Sequence, residues 1–280
     1  MSVGIVVKVS EGLVLGADSA ATLRGRVEGP GGVQEGVLKT FLNAKKLLQI
    51  GDFPIGLFTW GQAFVGLRTV ESLVREWEYA KGWQSQGQYG ARHDEDSFRV
   101  HACAEGLREH FTKVYDEEFK DLPKERRPGL GLVVAGYSQE AFFPEIWRFV
   151  LPLDEVVHDQ RPERDGKPDF GASWFGTTEP IVRLHWGRDD AVIEIVSERF
   201  GIPKNDVREA LAPLQYQVPF AVMPLQDAID YARYLLNVAV GRYRFVVGPE
   251  LCGGEIEIAV VTQREFRWIS RKSWELDKGG

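Results

Sequence analysis

Short apolar runs separated by turn residues fill the first sixty residues, and this pattern constrains the fold more than any other feature. Residues 3–9 (VGIVVKV) and 13–17 (LVLGA) flank a polar turn and predict an antiparallel hairpin. Residues 46–50 and 55–60 flank a turn at Gly51-Asp52 and predict a second strand pair. The second pair is apolar enough for burial on both faces, which indicates a layered fold.

The segment between these two pairs is rich in chain breakers. Residues 23–38 contain five glycines and one proline, which is typical of a loop rather than of a helix or strand. We therefore predict a loop insertion covering about residues 23–44. Two further polar loop insertions are predicted at residues 82–96 and 154–169.

After residue 61 the apolar spacing changes from a period of two to that of a helix. The last of the predicted helices begins with Pro224 and ends at Gly241, in agreement with the preferences of helix ends. The predicted helices cover residues 67–77, 98–119, 179–186, 190–200 and 224–241, and the later predicted strands cover residues 130–135, 146–151, 170–175 and 256–262, the last of these being the final strand.

The order of these elements predicts an α+β protein. Hairpins and helices are segregated along the chain, which favours two antiparallel sheets packed face to face with helices outside. No linker divides the sequence, so residues 1–280 are predicted to form a single domain.

Composition and charge exclude several classes of protein. The net charge is −7 and no basic run stands out, which argues against nucleic-acid binding. The two cysteines, Cys103 and Cys252, are too few for a disulfide framework and are typical of a reducing compartment. We find no secretory leader and no apolar run of about 18 residues, so we expect a cytoplasmic protein without a membrane partner.

The N-terminus carries the most informative candidate residue. Ser2 follows Met1, and a small second residue permits removal of the initiator methionine. The trimmed chain would carry a hydroxyl and a free α-amine on one residue. An α-amine titrates near pH 8, so it can act as the general base that activates the hydroxyl. Taken alone, a Met-Ser start is commonplace and more often has no catalytic meaning.

Two charged residues strengthen this candidate. Asp18 ends the first predicted hairpin, which returns the chain to the side of Ser2. Lys46 begins the third predicted strand, where its ammonium could lower the pKa of the Ser2 hydroxyl. The simpler alternatives are a turn-capping aspartate and a solvated strand end. Three such residues at the ends of adjacent strands favour a catalytic site.

Other candidate sites are weaker. His93, Asp94, Glu95 and Asp96 cluster within a polar segment, where a solvated loop is the simpler interpretation. His101 and His110 are nine residues apart on one predicted helix, which is not a chelating spacing. Cys103, within the same helix, is most simply a small core residue. We therefore predict no metal site.

Several segments resemble the β-type subunits of the proteasome, and residues 12–22 (GLVLGADSAAT) are the most specific of them. The matching segments occur in the family's order along nearly the whole chain, a collinearity that is much harder to obtain by chance than one motif. They are residues 2–22, 45–50 (KKLLQI), 59–61 (TWG), 134–137 (VAGY), 175–178 (FGTT) and 253–262 (GGEIEIAVVT).

This resemblance implies a four-layer αββα sandwich and a threonine- or serine-type N-terminal nucleophile peptidase. Ser2 takes the place of the family's N-terminal threonine, and Asp18 and Lys46 take those of its catalytic aspartate and lysine. The backbone N–H of Gly61 would stabilise the oxyanion. The remaining implied roles are a supporting hydroxyl at Thr177 and a substrate cleft along Thr22, Thr59 and Ala63, where an extended peptide can pair as a strand.

The chain also departs from the family pattern. Serine replaces threonine directly after Met1, as in the bacterial ancestral-type homologues. Trp60 is bulky where the family has a small residue. Before the last strand, Cys252 takes the place of a supporting serine, and residues 249–253 (PELCG) lack the usual aspartate.

Three functions remain open on these residues. The first is a peptidase that cleaves peptides or unfolded proteins through an acyl-enzyme on Ser2. The others are an inactive ring or scaffold subunit and an amidohydrolase of the same fold acting on a small amide. The resemblance further implies self-association into a ring or spiral, whereas the sequence leaves open whether an ATP-dependent unfoldase is a partner. No cofactor is required.

Overall fold

A computed structural model of the chain describes residues 2–29, 32–83, 99–153, 156–160, 163–164, 167–248 and 252–272. Across these ranges, none of the helices has both the length and the apolar character needed to span a membrane.

Sixteen strands are described, most of them in two sheets. They are β1 (Val3–Val9), β2 (Gly12–Ala17), β3 (Ala21–Gly29), β4 (Gly32–Phe41), β5 (Leu47–Gln49), β6 (Ile55–Gly61), β7 (Phe64–Val65), β8 (Arg68–Thr69), β9 (Leu130–Gly136), β10 (Glu145–Leu151), β11 (Val156–Gln160), β12 (Glu163–Arg164), β13 (Lys167–Pro168), β14 (Gly171–Gly176), β15 (Glu257–Val261) and β16 (Phe266–Ser270).

The helices begin and end at residues suited to those positions. Helix α1 is capped by Thr69, whose hydroxyl accepts a hydrogen bond from the Ser72 N–H at 3.1 Å. Helix α4 is capped by Asp189 at its start and by Gly201 after its last residue, where glycine has a φ of 64°. The six described α-helices are α1 (Val70–Ala80), α2 (Val100–Glu118), α3 (Glu179–Trp186), α4 (Asp190–Phe200), α5 (Lys204–Leu211) and α6 (Leu225–Phe245).

The two larger sheets have five strands each, and every strand pairing in them is antiparallel. The first sheet has the order β14-β1-β2-β15-β16, and the second has the order β11-β10-β9-β6-β5. The predicted α+β class with antiparallel sheets is confirmed, and so is the predicted hairpin of β1 and β2.

Three clusters of buried side chains form the core. Because successive side chains of a strand face opposite sides, Val6 of β1 packs with Phe58 and Val133 of the second sheet, whereas Val7 packs with α6. A third cluster lies between the second sheet and helices α1 and α2. Strands β1 and β2 are buried on both faces of the first sheet, because α6 covers one face and the second sheet covers the other.

The prediction of a loop at about residues 23–44 is wrong for most of that segment, because strands β3 and β4 pair there as a hairpin. The glycines do not break it. Gly25 pairs with Gly36, and a Cβ at Gly25 would lie 2.5 Å from a methyl carbon of Leu38, so glycine makes room for that side chain.

Two boundaries in the middle of the chain also differ from the prediction. Helix α1 begins at Val70 rather than at Leu67, because strands β7 and β8 form a small hairpin there and Leu67 is fully exposed. The loop predicted at residues 154–169 contains β11, which pairs with β10 at the sheet edge. His158 of β11 stacks on Trp147, with ring centroids 3.9 Å apart.

The C-terminal region has more structure than predicted. Helix α6 passes through Gly241, since Val240 and Tyr243 on either side of it pack against the core.

Strand β16 follows β15, so β15 is not the final strand. Phe266 and Trp268 of β16 face the core while their neighbours are exposed, an alternation that we overlooked. Helix α5 is short and polar and was not predicted, although Val207 and Leu211 lie at helical spacing.

Candidate active site

The first hairpin brings Ser2 and Asp18 together. Gly4 pairs with Ala17, so the residues that precede β1 and follow β2 lie side by side. The Val3 N–H donates to Oδ1 of Asp18 at 3.0 Å, and the Asp18 N–H donates to the carbonyl of Val3 at 3.1 Å. Ser2 is only 4% exposed. The hairpin register therefore fixes the Asp18 carboxylate beside the backbone of the candidate nucleophile.

Asp18 forms a buried ion pair with Lys46. The Lys46 Nζ lies 2.6 Å from Oδ1 of Asp18, and the two side chains are 3% and 0% exposed. The other oxygen, Oδ2, accepts hydrogen bonds from the backbone N–H groups of Ala20 at 3.2 Å and Gly253 at 2.9 Å. With the Val3 N–H, four donors surround one carboxylate, which compensates for its removal from water.

Burial lowers the pKa of the Lys46 ammonium, and the neighbouring Asp18 carboxylate opposes that shift. A lysine with a lowered pKa gives up its proton more readily than one in water, which suits it to proton transfer. Its backbone is also fixed, because the Lys46 carbonyl accepts a hydrogen bond from the Thr59 N–H at 3.1 Å. This hydrogen bond connects the residue before β5 to β6, next to the Asp18–Lys46 pair.

A second buried carboxylate lies close to this pair and was missed from the sequence. Glu257 of β15 is 2% exposed, and burial raises the pKa of its carboxyl. The Lys272 ammonium donates to the carbonyl of Ala44 at 3.1 Å and interacts with the charges of Glu257, Asp18 and Lys46. Lys272 therefore fastens the segment that leads into Lys46. The only sequence signal was an acidic residue inside an apolar strand.

Ser2 and Lys46 line one cavity of about 170 Å³. Two residues predicted to contact substrate, Thr59 and Ala63, line it as well. The Thr59 hydroxyl donates to the carbonyl of Gly131 at 3.0 Å, which leaves its methyl group for other contacts. The other lining residues are Ala21, Asn43, Ala44, Lys45, Trp60, Gln62, Phe64, Thr69, Val70 and Glu71.

Gly61 ends β6 with a φ of 86°, in the left-handed region that favours glycine. The Gln62 N–H donates to Gly129 of the β9 side, whereas the Thr59 N–H donates to Lys46 on the opposite edge. Because backbone N–H groups alternate between the two edges of a strand, the Gly61 N–H faces the edge on which Lys46 lies. It lies beyond the last residue of β6 that pairs with that edge.

Replacing Gly61 with alanine should lower the free energy of unfolding by about 2–4 kcal/mol. The backbone conformation would be strained, and the new Cβ would lie 2.3 Å from the carbonyl oxygen of Gly129. Urea unfolding followed by tryptophan fluorescence measures the loss. Gly201→Ala is the matched control, since its φ is 64° with no atom within 4 Å, and it should cost about 1 kcal/mol. Equal losses in the two variants would contradict the close contact.

The two remaining predicted threonines differ in position. The Thr177 N–H donates to the Ser2 carbonyl at 2.7 Å, so the end of β14 holds the backbone of Ser2. Thr22 does not line the cavity, although its neighbour Ala21 does. The buried Thr22 hydroxyl makes no hydrogen bond to any part of the chain that the structure describes.

The departures from the family pattern have clear structural consequences. The Trp60 ring packs against Phe175, with centroids 4.9 Å apart, and covers Gly131, where any Cβ would collide with it. The Cys252 thiol is buried and donates to the Ala239 carbonyl of α6 at 3.6 Å. Asp18 is supported instead by the backbone N–H of Gly253.

Among the weaker candidates, the acidic cluster is not described by the structure and Cys103 is a core residue. His93, Asp94, Glu95 and Asp96 lie outside the described residues, as do Met1 and residues 249–251. Cys103 is fully buried in α2, and burial raises the pKa of its thiol to about 12, so it behaves as a core residue.

No protein-family model matches the chain, and no curated protein matches it in sequence. Several solved structures are similar to the chain in fold. An Anbu (Gly-1) mutant from Hyphomicrobium sp. strain MC1 is 13% identical with a TM-score of 0.51, over 99% of this chain and 88% of that one. Anbu (ancestral beta-subunit) from Yersinia bercovieri is 12% identical with a TM-score of 0.50, over 96% and 88%.

A third structure, the helical assembly of the Anbu complex from Pseudomonas aeruginosa, is 13% identical with a TM-score of 0.53, over 97% of this chain and 88% of that one. Identities this low establish similarity of fold alone. They support the resemblance to proteasome β-type subunits at that level. The chain shares the fold of these three Anbu structures.

Proposed function

We propose that this chain is a proteasome-like peptidase that uses Ser2 as its nucleophile once Met1 has been removed. The proposal includes a single domain with the four-layer αββα order, in the cytoplasm. The core clusters support that order, because one cluster joins the two sheets and the others join each sheet to helices.

The observation that carries the proposal is the buried Asp18–Lys46 pair at the cavity that contains Ser2. Removing two charges from water costs several kcal/mol per ion, and replacing such a pair with apolar residues is often neutral or stabilising. A scaffold subunit would gain little from keeping it. An enzyme gains a cation and a carboxylate beside its nucleophile.

The geometry supports the following chemistry. In the trimmed chain, the α-amine of Ser2 takes the proton from the hydroxyl as Oγ attacks the carbonyl carbon of a peptide bond. The Lys46 ammonium favours the alkoxide, and the Gly61 N–H donates to the oxyanion of the tetrahedral intermediate. The amine then gives its proton to the leaving nitrogen, and an acyl-enzyme forms. Water hydrolyses the ester by the same proton transfers.

The size of the cavity favours a peptide over a small amide. Pockets that enclose a whole small molecule measure about 300–1,000 Å³. The cavity beside Ser2 measures about 170 Å³, which suits one side chain of a longer substrate. A peptide or unfolded protein bound in extended form would place one residue in it. The chemistry requires no cofactor.

Self-association is part of the proposal. The Pseudomonas aeruginosa structure with this fold is a helical assembly. We infer that this chain likewise forms a ring or spiral of identical subunits that encloses its active sites.

Controlled release of the N-terminus tests the proposal. A fusion protein whose cleavage leaves Ser2 as the first residue should hydrolyse fluorogenic peptides only after cleavage, because the α-amine is an amide before it. The uncleaved fusion is the control, and sedimentation checks that both forms assemble alike. Equal hydrolysis before and after cleavage would show that the reaction does not need the free α-amine of Ser2, and an absence of hydrolysis after cleavage would favour the scaffold alternative.

A further inference from the structure

The cavity beside Ser2 has an ion pair in its wall that the proposed reaction does not use. The Lys45 Nζ lies 2.9 Å from Oε1 of Glu71, and the two side chains are 28% and 31% exposed. Both residues line the cavity. This pair is separate from the buried pair of Asp18 and Lys46, which lies deeper.

The local structure explains how Lys45 reaches this position. The Lys45 ammonium contacts Glu71 of α1, whereas that of the neighbouring Lys46 contacts Asp18. Glu71 lies in the first turn of α1, which Thr69 caps. A carboxylate is stabilised at a helix N-terminus by the helix dipole. Glu71 is thus held by its helix, and Lys45 is held by Glu71.

By exposed area the rest of the cavity wall is mainly apolar, although Lys46, Asn43, Gln62 and Thr69 also line it. Its walls include three alanines, Phe64 and Val70. A volume of about 170 Å³ equals the share of about five or six water molecules in the liquid. That space accommodates one medium-sized side chain, such as leucine.

We propose that Lys45 and Glu71 determine substrate specificity by restricting this cavity to an uncharged, medium-sized side chain next to the scissile bond. This inference rests on the proposed peptidase function. A substrate carboxylate would have to compete with Glu71 for Lys45 and would meet a like charge. A substrate ammonium would have to compete with Lys45 for Glu71 and would meet the like charge of Lys45. Excluding both charges is specificity by repulsion.

The inference predicts a gain of specificity when either partner is neutralised. In Glu71→Gln the Lys45 ammonium no longer pairs with a Glu71 carboxylate and the like charge is gone, so cleavage after glutamate relative to leucine should rise about tenfold. In Lys45→Gln the Glu71 carboxylate becomes available, so cleavage after lysine relative to leucine should rise by a similar factor. The double variant should show neither gain.

The test uses fluorogenic peptide amides that differ only in having leucine, glutamate or lysine before the scissile bond. The kcat/KM ratios are compared in the wild type and the variants. Glu76→Gln is the matched control, because Glu76 lies on the same helix in an exposed pair with Arg68 at 2.9 Å, outside the cavity. It should leave every ratio as in the wild type.

The outcomes separate this inference from the proposed function. Opposite shifts in the two single variants support the inference. Hydrolysis with unchanged ratios in all variants overturns it and leaves the peptidase intact. Absence of hydrolysis with every peptide and variant, from preparations whose mass shows loss of Met1, overturns the proposed function and this inference with it.

Discussion

Replacing Asp18 with alanine is expected to lower the free energy of unfolding by about 3–5 kcal/mol and to abolish hydrolysis. The variant leaves the Lys46 ammonium buried without its partner at 2.6 Å. It also leaves the N–H groups of Val3, Ala20 and Gly253 without the acceptor they share. Chemical denaturation followed by tryptophan fluorescence gives the stability, and peptide hydrolysis gives the activity.

The pH dependence of this variant identifies the cause. Burial already lowers the pKa of Lys46 below 10.5, and loss of the carboxylate removes the opposing interaction. The unfolded chain then binds the lysine proton at a pH where the folded chain does not. The free energy of unfolding of Asp18→Ala, relative to that of the wild type, should therefore increase as the pH is raised toward 10.5 and decrease as the pH is lowered from that value.

Two controls distinguish charge from packing. The double variant Asp18→Asn, Lys46→Met should recover about 2 kcal/mol or more of the lost stability while remaining inactive, because no unpaired charge is buried. Glu76→Gln, which breaks the exposed pair with Arg68, should cost less than about 1 kcal/mol. An Asp18→Ala variant as stable as the wild type would contradict a buried ion pair.

Replacing Ser2 with alanine is expected to lower kcat by at least about a thousandfold and to leave the fold intact. The variant removes only the hydroxyl oxygen. Alanine is small enough for Met1 still to be removed, so the α-amine remains. The hydrogen bond from the Thr177 N–H to the backbone carbonyl of residue 2 is also retained.

Ser2→Thr is the matched control for this experiment. It keeps a hydroxyl and a small N-terminal residue, so it should retain hydrolysis well above the level of the alanine variant. Circular dichroism and sedimentation should be the same for the wild type and both variants. Hydrolysis by Ser2→Ala at the wild-type rate would show that another residue carries the reaction.

Local patterns predicted the centre of the fold well. The β-branched run of β1 and the apolar returning strand determine a hairpin almost independently of the rest of the chain. The β3–β4 hairpin was missed, because its glycines were interpreted as breakers although Gly25 provides space for Leu38. Helix α6 continues past Gly241 because tertiary contacts around it outweigh the low helix propensity of glycine.

The site was predictable in part. Asp18 and Lys46 are 28 residues apart, and the resemblance together with the hairpin pattern was enough to pair them. The Gly253 N–H that supports Asp18 is 235 residues away from it. Lys272 reaches Ala44 over 228 residues. Contacts over such separations are set by the packing of β2 against β15, which no local pattern encodes.

The most direct test of the central claim is the intact and peptide-mapped mass of the purified protein after incubation with a peptide epoxyketone. This reagent reacts with a hydroxyl and an α-amine that belong to one N-terminal residue. The proposed function predicts a chain without Met1 that carries one adduct, located on Ser2. A chain that retains Met1 and carries no adduct, or an adduct on any other residue, would contradict it.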